Sequence, residues 1–245
     1  VPVPGPDGPL RIAVAQPPCV PYDLAANAAT HAATARAAAA RVVVFPELSL
    51  TGYELDAPTV DPDDPRLAPL VAACAETGSV ALVGAPVAGT AGRVHIATLA
   101  VTGAGGSVAY RKQWLGSSEA VRFSPGDRPA VLDVDGWRLG LAICRDTGIA
   151  QHVADTVALG IDVYVAGTLM FPEEAEIQDD RARRTATGHR IRVAVASFAG
   201  PTGDGYTRSA GRSGIWAPDG TLLAQAGPAT GEVVSAVLDR RVAAG

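Results

Sequence analysis

The chain has 245 residues, 48% of them hydrophobic and only 5% aromatic, with a formal net charge of -5. That length allows one large α/β domain or two small ones, with a core filled by small aliphatic side chains. A modest negative charge without a basic run excludes nucleic acid and anionic membrane surfaces as expected partners, and no apolar run reaches membrane-spanning length.

Cys19, Cys74 and Cys144 are widely spaced and form no CxxC, which fits a reducing compartment rather than a disulfide framework; a cytoplasmic location is expected. Residues 1–9, with four prolines, have neither a positive start nor a long apolar stretch. They read as a flexible lead-in rather than a signal peptide, followed by one domain over 10–245.

In chain order, Leu10 to Gln16 predicts a strand, Asp23 to Ala40 an Ala-rich helix, and Val42 to Phe45 a strand covered on both faces. Pro65 to Thr77 predicts a second helix, with Leu67, Leu70, Val71 and Cys74 at helical spacing. Strands follow at Val80–Ala85, Val94–Val101 and Ser107–Tyr110, with Gly103, Gly105 and Gly106 suiting a hairpin. Ala130–Val134 and Trp137–Ile143 are strands joined by an Asp135-Gly136 turn. A helix from about Ile149 to Leu159, a strand Asp162–Ala166 and a charged helix from about Glu173 to His189 succeed them. Val193–Phe198, Ser213–Ala217, Thr221–Gln225 and Glu232–Leu238 predict the last strands, with Pro218-Asp219-Gly220 as a turn. Helices alternating with strands, and hairpins between, argue for two sheets with helices outside.

Three strand exits carry chemistry. Cys144 ends the apolar run Trp137–Ile143 and enters a polar turn expected to open a helix, with Asp146 or Thr147 as N-cap. Free N–H groups and the positive end of a helix dipole would favour its thiolate. Position alone is equally compatible with a buried cysteine acting as a small apolar residue. Cys74, on a helix stripe, reads as core, and Cys19 as structural. Glu47 leaves the strand at Val42–Phe45 in hydrophobic surroundings. It is either an acid/base group with a raised pKa or half of a structural ion pair. Lys112 follows the strand at Ser107–Tyr110 and can steady negative charge on a carbonyl oxygen, or be a solvated surface lysine. The four histidines, His31, His95, His152 and His189, are scattered without metal-ligand spacing.

Together these residues stand in ordered motifs. Phe45-Pro46-Glu47-Leu48 with Thr51-Gly52-Tyr53, then Tyr110-Arg111-Lys112, then Ile143-Cys144-Arg145-Asp146 resemble the glutamate, lysine and cysteine motifs of the nitrilase (carbon–nitrogen hydrolase) superfamily. Glu119 with Phe123-Ser124-Pro125-Gly126-Asp127 is similar to its second-glutamate loop, and Gly211-Arg212-Ser213-Gly214-Ile215 to its C-terminal pattern. The resemblance implies a four-layer α-β-β-α sandwich that pairs into homodimers or higher homo-oligomers. It also implies Cys144 as nucleophile, Glu47 as general base and then acid, and Lys112 with the backbone N–H of Arg145 as oxyanion support. Glu119 would orient Lys112 or the substrate. No metal or organic cofactor is implied.

Superfamily members that attack nitriles carry tryptophan and glutamate after the nucleophile, where this chain has Arg145 and Asp146, so it resembles the amide-cleaving branch. The implied substrate is a small amide, with a ureido compound of the N-carbamoyl type as the alternative. A glutaminase or acyl-transfer role and a non-catalytic binding protein are further alternatives. Tyr53, Trp114 and the loop with Thr168 and Leu169 are the expected pocket walls, although Trp114 reads equally well as core filling. Arg145 reads as either a contact to an anionic substrate group or half of a structural ion pair, and the second is favoured.

Overall fold

Alternation of side chains along the strands decides the architecture. In β1 (Leu10–Gln16), Ile12 and Val14 face one way and Ala13 and Ala15 the other, and all four are buried. In β2 (Val42–Val44), Val42 and Val44 join the first set and Val43 the second. A pleated strand turns successive side chains to opposite faces, so each of these strands is covered on both sides.

The computed structural model describes residues 8–240. Most of the expected lead-in lies outside them; of its described part, the Gly8 carbonyl accepts a hydrogen bond from Trp137 Nε1 at 3.0 Å. With β3 (Val80–Ala88), β4 (Val94–Thr102), β5 (Gly105–Arg111) and β12 (Glu232–Leu238), the first two strands build a sheet of order β12-β1-β2-β3-β4-β5. The second sheet has β6 (Ala130–Val134), β7 (Trp137–Ile143), β8 (Val163–Thr168), β9 (Arg192–Ser197), β10 (Gly214–Trp216) and β11 (Leu222–Gln225), in the order β11-β10-β9-β8-β7-β6.

In each sheet three central strands run parallel and the flanking ones antiparallel. Parallel neighbours need crossovers, and helices supply them. These are α1 (Leu24–Ala38) and α2 (Ala68–Thr77) for the first sheet, and α3 (Ala150–Ala158) and α4 (Ala175–His189) for the second. Ala28, Ala32 and Ala35 of α1 pack with Ala13, Ala15 and Val43, small against small, so the helix lies close to its sheet. Ile12, Val14 and Leu82 meet Leu139, Ile143 and Val165 between the sheets. Outside the second sheet, Ala182 and Ala186 of α4 cover Tyr164, Ala166 and Val193. The result is the expected α-β-β-α sandwich.

Two expected helices begin later than their pattern suggests. Pro65–Leu67 and Pro172–Glu174 are single 3-10 turns ahead of α2 and α4, where proline supplies no N–H and holds φ at the start. Asp135 and Gly136, at φ +53° and +78°, form the two-residue turn between β6 and β7, whose handedness suits strand twist.

The turn after β2, Pro46-Glu47-Leu48, lies against both sheets. A Cβ on Gly84 of β3 would sit 2.2 Å from Leu48 N, and one on Gly167 of β8 would sit 3.0 Å from Glu47 N. One glycine from each sheet therefore leaves the space in which Glu47 is placed. Gly84→Ala should cost about 2 kcal/mol or more by forcing backbone apart, read as a lowered urea midpoint at unchanged slope. An unshifted midpoint would show that the turn relaxes freely.

Behind the same turn, His31 of α1 is fully buried and stacks on Phe45 with ring centroids 4.2 Å apart. Its Nδ1 meets Asn27 O at 2.6 Å, its Nε2 has no partner, and burial pushes its pKa down from 6.5 to about 4. Below the higher value the unfolded chain takes up a proton that the folded one refuses. Folding stability should therefore fall between those two pH values, by on the order of 3 kcal/mol from this group. His31→Leu should flatten that part of the stability–pH curve in urea titrations, and an unaltered slope would refute a buried neutral ring.

Candidate active site

The three strand exits converge, two from one sheet and one from the other. Glu47 follows β2, Lys112 follows β5 and Cys144 follows β7. Lys112 is fixed beyond its strand by its own N–H to Ile96 O at 2.8 Å and by Gly126 N–H donating to its carbonyl at 2.8 Å. Its Nζ donates to Glu47 Oε1 and to Glu119 Oε1, each at 2.6 Å, and all three residues are buried.

Glu119 stands in the 3-10 turn Glu119–Val121. Its Oε1 also accepts from Tyr53 OH at 2.6 Å and its Oε2 from Gly116 N–H at 2.6 Å. Burial alone would raise this carboxyl, but the Lys112 charge and these donors hold it below its ordinary value. Glu47 goes the other way. Burial pushes it up to about 8 despite Lys112, helped by the Glu119 charge, and its Oε2 is buried without a partner. Burial works to lower the Lys112 ammonium, yet the charges of Glu47, Cys144 and Glu119 keep its pKa above the ordinary lysine value.

Cys144 is half-buried, at φ +42°, a left-handed conformation that sets its side chain on a sharp bend after β7. Its Sγ donates to Leu169 O at 3.2 Å, and it packs near Met170, Ala175 and Ala210. Burial, then the Glu47 charge, pushes the thiol up to about 12, only partly offset by Lys112. The expectation of a thiolate favoured by a helix dipole is thus corrected. Residues Cys144–Gly148 form a 3-10 turn, and α3 starts only at Ala150 with no side-chain cap. A single turn carries little dipole, and the neighbouring carboxyl outweighs it. Neither Asp146 nor Thr147 caps α3: Asp146 accepts from Ile143 N–H at 3.0 Å, and the Thr147 hydroxyl donates to Cys144 O at 2.7 Å.

The expected pocket walls separate. Tyr53 is at the site through Glu119, and Leu169 through its carbonyl. Trp114 is 42% exposed, so it is not core filling. Thr168 is the outward residue of β8: its hydroxyl donates to Gln178 Oε1 of α4 at 2.7 Å, and it lines a small cavity with Thr147, Tyr164 and Arg181 on that side of the sheet. Arg145 is exposed and makes no ion pair among the described residues, against the favoured expectation. Tyr206 was not foreseen. Its ring stacks on Phe171 at 4.0 Å and meets Tyr53 edge-on at 5.6 Å, and after burial the Cys144 charge is the largest influence raising its hydroxyl to about 12. It lies in an irregular loop rich in glycine and proline, where no periodicity marks a site residue.

Among the described residues no group of three or more His, Cys, Asp and Glu could hold a metal ion, and no helix is long and apolar enough to cross a membrane. The profile of the carbon–nitrogen hydrolase family matches residues 11–244. A protein described as the hydrolase in the pqqF 5' region of Pseudomonas protegens is 29% identical over 227 residues, 89% of this chain and 79% of its own. An (R)-stereoselective amidase of Pseudomonas sp. is 27% identical over 190 residues, 76% of this chain and 69% of its own. The amidase of Nesterenkonia AN1, from the nitrilase superfamily and solved as a cysteine-to-alanine mutant, superposes with a TM-score of 0.83 at 24% identity, covering 97% of this chain and 93% of that one. With two sheets, four flanking helices and this set of side chains, the chain belongs to the carbon–nitrogen hydrolase family.

Proposed function

We propose that this protein hydrolyses a small linear amide to a carboxylic acid and ammonia or an amine, through a thioester on Cys144. One observation carries the reading. Glu47 keeps one oxygen on Lys112 and leaves the other buried without a partner, beside a thiol close enough for each group to shift the other's proton affinity. A free carboxylate oxygen in dry surroundings is a proton acceptor with little competition from water.

In this reading Glu47 takes the thiol proton as sulfur attacks the amide carbon. The oxyanion meets the Lys112 ammonium and the Arg145 N–H, one of the leading amides that a 3-10 turn leaves without intrahelical partners. Glu47 then returns its proton to the departing nitrogen as the C–N bond breaks. Water, giving its proton to the same carboxylate, attacks the thioester; the acid leaves and the thiol is restored. Glu119 acts through Lys112, because its carboxylate and that of Glu47 fix the ammonium from two sides. Tyr53, Tyr206 and Phe171 supply an aromatic wall beside the sulfur. The amidase relatives support an amide as substrate.

A panel of small amides and ureido acids, scored by ammonia release, tests the reading. Cys144→Ala should abolish release, and Glu47→Gln should lower it about a thousandfold or more, with any slow acyl adduct visible in the intact mass. Release that survives Cys144→Ala would end the proposal. Because Glu47 must be ionised to accept the proton, kcat/KM should climb with pH and level off above about 8. A profile already flat at pH ~6 would remove Glu47 as the base.

A further inference from the structure

The geometry points to Asp146 as a positioning residue that locks the nucleophile's bend to the segment carrying Lys112. This inference rests on the cooperation of Cys144 and Lys112 proposed above. Asp146 is fully buried, with all its described donors inside the protein. Its Oδ2 accepts from Ile143 N–H at 3.0 Å and from Tyr110 OH at 2.8 Å, and its Oδ1 from Trp114 N–H at 2.9 Å. Ile143 immediately precedes Cys144, whereas Tyr110 and Trp114 stand two residues to either side of Lys112. One carboxylate therefore grips the ends of β7 and β5, which belong to different sheets. Oxyanion support requires the ammonium and the sulfur to keep their separation to within a fraction of an ångström, and this carboxylate is a direct polar link between the ends of their two strands.

The hydrogen-bond directions agree. Tyr110 has one hydroxyl proton, which it gives to Asp146; it therefore accepts from His152 Nε2 at 2.8 Å. That assigns the proton of His152 to Nε2 and leaves Nδ1 to accept from Tyr164 OH at 3.1 Å. Every donor in the chain from Tyr164 to Asp146 points toward the carboxylate. No step of the proposed cycle uses this network, and none of its side chains lies among the reacting groups.

Asp146→Asn tests the assignment at nearly constant volume. An amide offers one acceptor oxygen, so its NH2 must face either Trp114 N–H or the Ile143 N–H and Tyr110 OH pair, and one grip is lost. Two readouts apply: turnover of the best amide from the panel, and the rate at which iodoacetamide alkylates Cys144, followed by intact mass with Cys144→Ala as the blank. Expected for Asp146→Asn is a fall in kcat of about a hundredfold with KM changed less than about threefold, and alkylation slowed about tenfold or more. Tyr164→Phe, which loses only the far link, should leave both rates within about threefold even if it lowers the melting temperature as much.

Unchanged rates in Asp146→Asn, or an equal loss in Tyr164→Phe, would overturn the assignment and leave the network as packing only. If Asp146→Asn does not fold, Tyr110→Phe, which keeps both backbone grips and removes one donor, should slow both reactions about fivefold; no change would likewise refute it. A failure of the amidase reading is distinguishable, since it would show in the parent protein as hydrolysis independent of Cys144.

Discussion

Burying Lys112 with Glu47 and Glu119 places one cation against two carboxylates where almost no water reaches. If both acids were ionised, the cluster would carry an uncompensated negative charge, and such a charge in a low-dielectric interior costs several kcal/mol. The protein resolves the imbalance with a proton. Glu119, which accepts from Lys112, Tyr53 and the Gly116 N–H, keeps the charge, and Glu47, with one bare oxygen, holds the proton more tightly. Two chemically similar side chains are separated in proton affinity by burial at Glu47 and by the Lys112 charge and the donors at Glu119.

The sandwich exists in a form that serves this cluster. Glu47 and Lys112 come from strand exits of one sheet and Cys144 from the other, so the apolar layer between the sheets sets their spacing. Close-packed interiors deform little, and a filled layer of Ile12, Val14, Leu139 and Val165 is a stiff spacer. Gly84 and Gly167 let the Glu47 turn press against both sheets at once. The site is thus held from two directions, by contact at the glutamate turn and by hydrogen bonds at Asp146.

Much of this was legible in the sequence. Strands β1, β6, β7 and β12 fall where the apolar runs put them: β1 and β7 are buried on both faces, whereas β6 and β12 are only partly buried and are marked by the turns that bound them. The motif residues Glu47, Lys112 and Cys144 could be picked out because each is a polar group at the exit of an apolar strand. What failed was anything decided by contacts distant in the chain. Asp146 and Thr147 have the composition of a helix cap, but tertiary donors claimed the first, and the bend at Cys144 claimed the second. Thr168 looked like a pocket wall because the strand seemed to end before it; β8 runs two residues further, and period two turns its hydroxyl to α4. The thiol's proton affinity was misjudged because burial and the Glu47 charge depend on neighbours that local sequence does not reveal.

The resting protonation of Cys144 also bears on chemical durability. Peroxides and stray electrophiles react with sulfur chiefly in its anionic form, so a thiol kept neutral by burial is a poor target for them. In the proposed cycle, burial thus shields the sulfur from oxidation until Glu47 takes its proton.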